Sequence, residues 1–88
     1  MSWKIPESKI DEMIEQVEEA IYEPFYPCTC TVVAWRLPNG YVIVESSGTI
    51  DPSEYSFEMG VKFCRERLKT KLWQLEGYVQ KQKWSEEN

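Results

Sequence analysis

Apolar residues recur at spacings of three and four in two stretches of this chain, with a β-type stretch between them. Ile10, Met13, Ile14, Val17, Ala20 and Ile21 fall on one stripe and predict an amphipathic helix over residues 8–23. Ser8 stands where an N-cap is expected, Asp11 follows three residues later, and Pro24 ends the pattern. Glutamates fill the opposite side. Thr29 to Leu37 and Tyr41 to Ser47 are rich in β-branched and aromatic residues and read as strands. Pro38-Asn39-Gly40 joins them, and Asn39-Gly40 suits a two-residue type I′ turn. That register puts Val33, Trp35 and Leu37 on one face with Val42 and Val44. The other face receives Cys30, Val32, Ala34, Arg36, Ile43 and Glu45, with Arg36 and Glu45 as a diagonal pair.

The second helical pattern starts at Asp51-Pro52-Ser53-Glu54, which supplies a cap, a first-turn proline and an acidic residue three after the cap. Phe57, Val61, Cys64, Leu68, Leu72, Leu75 and Val79 then form a stripe suited to a core or a coiled-coil seam. Gly60 on this helix predicts the close approach of another backbone. Gly77 costs about 1 kcal/mol relative to alanine and predicts a kink or close contact. Residues 1–7 and 81–88 are expected to fray. The whole is a single α+β domain: an N-terminal amphipathic helix, an antiparallel β-hairpin and a long C-terminal helix. A two-stranded hairpin is marginal in water and leaves two edges uncovered. No third strand is evident, so the hairpins of two subunits are expected to join in one sheet, as a homodimer or higher oligomer. The aromatic connector Tyr22-Glu23-Pro24-Phe25-Tyr26-Pro27 is expected to pack over a core or a partner.

The 88 residues carry a formal charge of −5, which argues against coating a nucleic-acid duplex. The charge is uneven. Glu7, Asp11, Glu12, Glu15, Glu18, Glu19 and Glu23 outweigh Lys4 and Lys9 in the first segment, whereas Lys62, Arg65, Arg67, Lys69 and Lys71 outweigh Glu66 in the second helix. The two segments are expected to attract each other, within one chain or between copies. Neither a secretory leader nor a membrane-spanning run is evident, and cytoplasmic, reduced thiols are expected at Cys28, Cys30 and Cys64. No metal and no cofactor are expected. Histidine is absent, no glycine-rich phosphate loop exists, and Ser46 and Ser47 lack a nucleophile setting, so an enzyme is not expected.

One constellation suits a ligand. Glu58, Lys62, Arg65, Lys69, Trp73, Glu76 and Gln80 form a second stripe beside the apolar one. Three cations in a row can hold phosphates, and the Trp73 indole can stack a base. The helix start near Asp51 to Tyr55 offers backbone N–H groups, and Tyr55 a second ring. The alternative is a solvated face, with Glu58 and Lys62 as an i,i+4 pair.

Two segments resemble a known family. They are Val42-Ile43-Val44-Glu45-Ser46-Ser47-Gly48-Thr49-Ile50-Asp51-Pro52-Ser53-Glu54-Tyr55-Ser56-Phe57-Glu58-Met59-Gly60 and Lys71-Leu72-Trp73-Gln74-Leu75-Glu76-Gly77-Tyr78-Val79. The resemblance is to the small tailed-phage proteins of the gp49 / gene 66 type, whose Trp-x-Leu-Glu-Gly-Tyr block is specific. It covers about residues 29–80; the glutamate-rich first helix lies outside it, and Gln74 stands where the family often has proline. The layout also resembles anti-Thoeris phage proteins, oligomeric sponges that trap a cyclic ADP-ribose-type or cyclic oligonucleotide signal without cleaving it. That resemblance implies stacking near Tyr55 and phosphate or ribose contacts around Arg65 and Gln82. The resulting expectation is a phage accessory, anti-defence protein in the cytoplasm of the infected host, which sequesters a small anionic nucleotide. Its site would comprise Tyr55, Lys62, Arg65, Lys69, Trp73 and Gln82. The alternative is a protein–protein inhibitor or adaptor acting through the acidic first helix and the connector around Phe25 and Tyr26.

Overall fold

A three-stranded antiparallel sheet carries both helices on one face. The structure, a computed structural model, describes residues 5–88. Chain order is α1 (Glu7–Glu15), β1 (Glu18–Tyr22), β2 (Cys30–Arg36), β3 (Val42–Gly48), a 3-10 turn (Pro52–Glu54) and α2 (Phe57–Glu87). The sheet order is β1-β2-β3. This is the α+β architecture the sequence predicts, with one added strand. Any fraying of residues 1–4 lies outside the described residues; Glu7 already opens α1.

The added strand corrects the first helix. Helical geometry ends at Glu15, with Gln16 as C-cap, and Pro6 rather than Ser8 occupies the N-cap position. Glu18–Tyr22 then pairs with β2, Ala20 opposite Ala34 and Ile21 opposite Val33. Val17, Ala20 and Ile21 satisfy a period of 3.6, but Glu19 and Ile21 equally satisfy a period of two. Pairing along β2 decides between them, as tertiary context overrides weak local preference. One edge of the hairpin is thus covered from within the chain, so the sheet no longer needs a second subunit for that purpose.

The hairpin register is corrected by one residue. Leu37 N–H donates to the Tyr41 carbonyl and Gly40 N–H to the Leu37 carbonyl, each at 2.8 Å. Pro38 therefore belongs to a three-residue loop. Its fixed φ suits a type I turn and it has no N–H for a ladder. Within this loop only Gly40 takes a positive φ, +90°, the left-handed position that closes such loops. The slip reverses the face of every β3 side chain relative to the two-residue reading. Trp35 now lies opposite Ile43 and Val33 opposite Glu45. Arg36 and Glu45 stand on opposite faces, and their expected pairing does not form. Arg36 bonds Glu18 at 2.6 Å, and Glu45 bonds Lys71 at 3.0 Å.

Ile10 of α1, Val33, Trp35 and Ile43 of the sheet, and Cys64, Leu68 and Leu72 of α2 form the core. Of the predicted α2 stripe, Val61, Cys64, Leu68 and Leu72 are buried, while Phe57, Leu75 and Val79 are exposed. The start of α2 is also corrected. Asp51 caps the 3-10 turn, accepting from Ser53 N–H at 2.9 Å, whereas Ser56 caps α2 through Met59 N–H at 3.3 Å. Gly60 does meet a close neighbour, but it is the buried Thr31 side chain: an added Cβ would lie 2.4 Å from Thr31 Oγ1. At Gly77 the nearest atom to such a Cβ is Ile5 Cδ1 at 3.8 Å, ordinary contact, and α2 runs through it without interruption. The helix continues to Glu87, past the point where the sequence predicts fraying. The molecule extends 54 Å along its long axis against 22 and 19 Å across it.

Candidate functional site

The cationic side of α2 faces the acidic N-terminal segment of the same chain. Arg65 reaches β1, where Nη2 lies 2.6 Å from Glu19 Oε1 and Nε lies 3.0 Å from Oε2. Trp35 Nε1 donates to the same Oε2 at 2.8 Å. One carboxylate therefore ties β1, β2 and α2 together. The Arg65 fork, with the indole N–H, holds Glu19 below the usual glutamate range despite partial burial, and Glu19 in turn raises Arg65. Lys69 reaches α1, with Nζ 2.5 Å from Glu7 Oε1 and 3.6 Å from Asp11 Oδ1. The hydrogen bond to Glu7 raises Lys69 and lowers Glu7. The attraction between acidic and basic segments is realised inside one protomer.

Lys62 is exposed, and among the described residues no carboxylate lies within 4 Å of it, Glu58 included. Trp73 is about one-third exposed, at 36%. Gln82 donates to Glu86 at 3.2 Å on the exposed end of the helix. At a rise of about 1.5 Å per residue, Lys62 and Gln82 stand roughly 30 Å apart.

Tyr55 lies apart from all of these. Its hydroxyl accepts from Thr31 Oγ1 at 2.6 Å and donates to Glu23 Oε2 at 2.9 Å. Partial burial and the neighbouring Glu23 raise its pKa. The tyrosine thus braces the β1–β2 connector against the Gly60 contact. The uninterrupted helix keeps Lys62, Arg65, Lys69 and Trp73 on one side at spacings of three and four, but it does not bring Tyr55 and Gln82 to them.

A hollow of about 410 Å³ does adjoin Arg65, lined by Ile14, Val17, Glu19, Trp35, Arg65 and Leu68. Its indole is Trp35, not Trp73. The charge contrast between the two segments was the only sequence signal for this meeting, and it could not identify Glu19 as the shared acceptor. A second groove, about 450 Å³, runs between β3 and α2, lined by Tyr41, Val42, Ile43, Val44, Lys71, Gln74, Leu75 and Tyr78.

The connector is open. Phe25 and Tyr26 are 67% and 96% exposed, and Glu12 and Glu15 of α1 also face solvent. The three cysteines are unpaired, and burial pushes the Cys64 thiol up, keeping it protonated. Among the described residues, no three acidic or sulfur ligands gather as a metal site. No described helix is long and apolar enough to cross a membrane.

Comparison with known proteins yields no match to any curated protein and none to any solved structure. The family described as "Phage protein (N4 Gp49/phage Sf6 gene 66) family" matches residues 5–84. The match starts ahead of α1, so the glutamate-rich first helix belongs to the shared pattern after all. With the sheet, the turn and nearly all of α2 inside the matched span, the chain belongs to this phage protein family.

Proposed function

We propose that this phage protein acts without catalysis, by protein–protein contact, as an inhibitor or adaptor that self-associates. The observation that carries this reading is how the charges are used. Arg65 and Lys69 are committed to Glu19, Glu7 and Asp11, whereas the aromatic connector and the carboxylates of Glu12 and Glu15 remain open. Exposed aromatics are what protein interfaces use as anchors, with charges at the rim. Glu19 leaves the candidate contact surface, because its carboxylate is consumed by Arg65 and Trp35.

The test is affinity capture of a host protein by the immobilised chain. Retention is expected to fall at least tenfold for Phe25→Ser/Tyr26→Ser and for Glu12→Lys/Glu15→Lys, with melting temperatures unchanged. Capture that ignores both variants overturns the reading.

Sequestration of an anionic cyclic nucleotide or cyclic ADP-ribose-type signal, an anti-Thoeris or anti-CBASS sponge, is the second reading. The hollow that sets Arg65 beside Trp35 favours it. A phosphate would have to displace Glu19 from Arg65. Calorimetry with cyclic ADP-ribose and cyclic dinucleotides separates the two readings: saturable heat, abolished by Arg65→Glu, supports the sponge, and flat traces remove it.

A further inference from the structure

The β3 edge is closed at one end and open at the other. Leu37 and Tyr41 form a hydrogen-bonded pair, and so do Thr29 and Thr49 at 2.7 Å. Antiparallel alternation then directs the N–H and C=O groups of Val42, Val44 and Ser46 away from β2. The Ser46 carbonyl is occupied by Arg67 Nη1. Val42 and Val44 have no partner among the described residues, and both side chains are half exposed. Unpaired edge groups beside apolar side chains invite another strand.

We propose that this open stretch pairs antiparallel with the same stretch of a second copy, making one six-stranded sheet. With a two-fold axis at Ile43, Val42 of one protomer lies opposite Val44 of the other, and all the free groups of both residues are used. Arg67 limits the pairing on one side and the Gly40 turn on the other, so the register is fixed without slippage.

Three observations favour a second copy over a foreign peptide. The open segment is self-complementary about its own centre, as an isologous contact requires. The groove beside it carries no net charge, since Lys71 is paired with Glu45, so the contact surface itself adds no like-charge repulsion between two copies. The α2 overhang also supplies area: Tyr78 is 72% exposed, and Leu75 and Val79 are exposed nearby. Together with Tyr41, Val42 and Val44 they offer on the order of 500 Å² per protomer, against about 800 Å² for a standard interface. That is about 1,000 Å² over both copies, the low end for a specific interface, and the ladder hydrogen bonds add to it.

This deepens the contact reading by giving its self-association a surface, and mass measurement tests it separately from host capture. Sedimentation of the full chain is expected to give a dimer. Val44→Pro removes only an outward N–H, a change edge strands tolerate. It is expected to leave a folded monomer, as is Tyr78→Glu, which adds a negative charge to the contact surface of each copy without touching the ladder. If Val44→Pro fails to fold, Tyr78→Glu decides alone. A monomeric wild-type chain at high micromolar concentration overturns the proposal, as does a dimer that survives Tyr78→Glu and any folded Val44→Pro.

Discussion

An added Cβ at Gly60 would meet Thr31 Oγ1 at 2.4 Å and Thr31 Cβ at 3.0 Å. Thr31 is fully buried and bonded to Tyr55, so it cannot yield cheaply. Gly60→Ala is expected to cost about 1–3 kcal/mol by overpacking. Chemical denaturation of Thr31→Ala/Gly60→Ala should recover part of that loss, because the two changes share one contact. Gly77→Ala moves the other way. Its Cβ finds room, and the helix gains about 1 kcal/mol. Glu19 gives a pH signature. Its folded pKa lies below its ordinary value, so its contribution is present above the unfolded glutamate range, about pH 4.3–4.5, and is lost as pH falls through the folded pKa. Glu19→Gln should cost about 1–2 kcal/mol at pH 7. The difference from wild type should shrink on acidification, which denaturation curves from pH 7 to pH 3 would show.

At the scale of elements, β1 separates strand from helix experimentally. Ala20 lies on the uncovered face opposite Ala34. Ala20→Val should leave stability unchanged or raise it by up to about 1 kcal/mol in a strand, whereas a helix would lose about half a kcal/mol. A clear fall in melting temperature would contradict the strand. The long helix and the β2–β3 pair were legible because each carries one dominant period over many residues. Glu18–Tyr22 was not, since five residues with Ala20 and Ile21 satisfy both periods, and only β2 decides. The turn is legible as a turn but not in register, because a two-residue Asn39-Gly40 loop sets Pro38 opposite Tyr41, and proline has no N–H to pair there. The site was the least legible part. Arg65 and Lys69 are legible as neighbours on one helix face, but their acceptors lie 46 and 62 residues away in sequence. Spacing within one helix carries no information about such partners.

For the whole molecule, the separation of charge along the chain becomes a latch between its two ends. Lys69 holds α1 against α2 through Glu7 and Asp11, while Ile10 inserts into the core beneath them. The apolar contact supplies most of the attachment and the ion pairs select its orientation, since exposed pairs contribute little on their own. Lys69→Glu should therefore loosen α1 without unfolding the sheet. Hydrogen exchange should rise across α1 while the β2 amides stay protected. Adding Glu7→Lys and Asp11→Lys to Lys69→Glu restores opposite charges across the contact and should return α1 to wild-type protection. Salt provides a second check, because at about 1 M the Debye length is only about 3 Å. The exchange difference between wild type and Lys69→Glu should narrow there. If α1 protection is the same in all these proteins, the acidic segment is held by packing alone. Its carboxylates would then be as available to a partner as Glu12 and Glu15 already are.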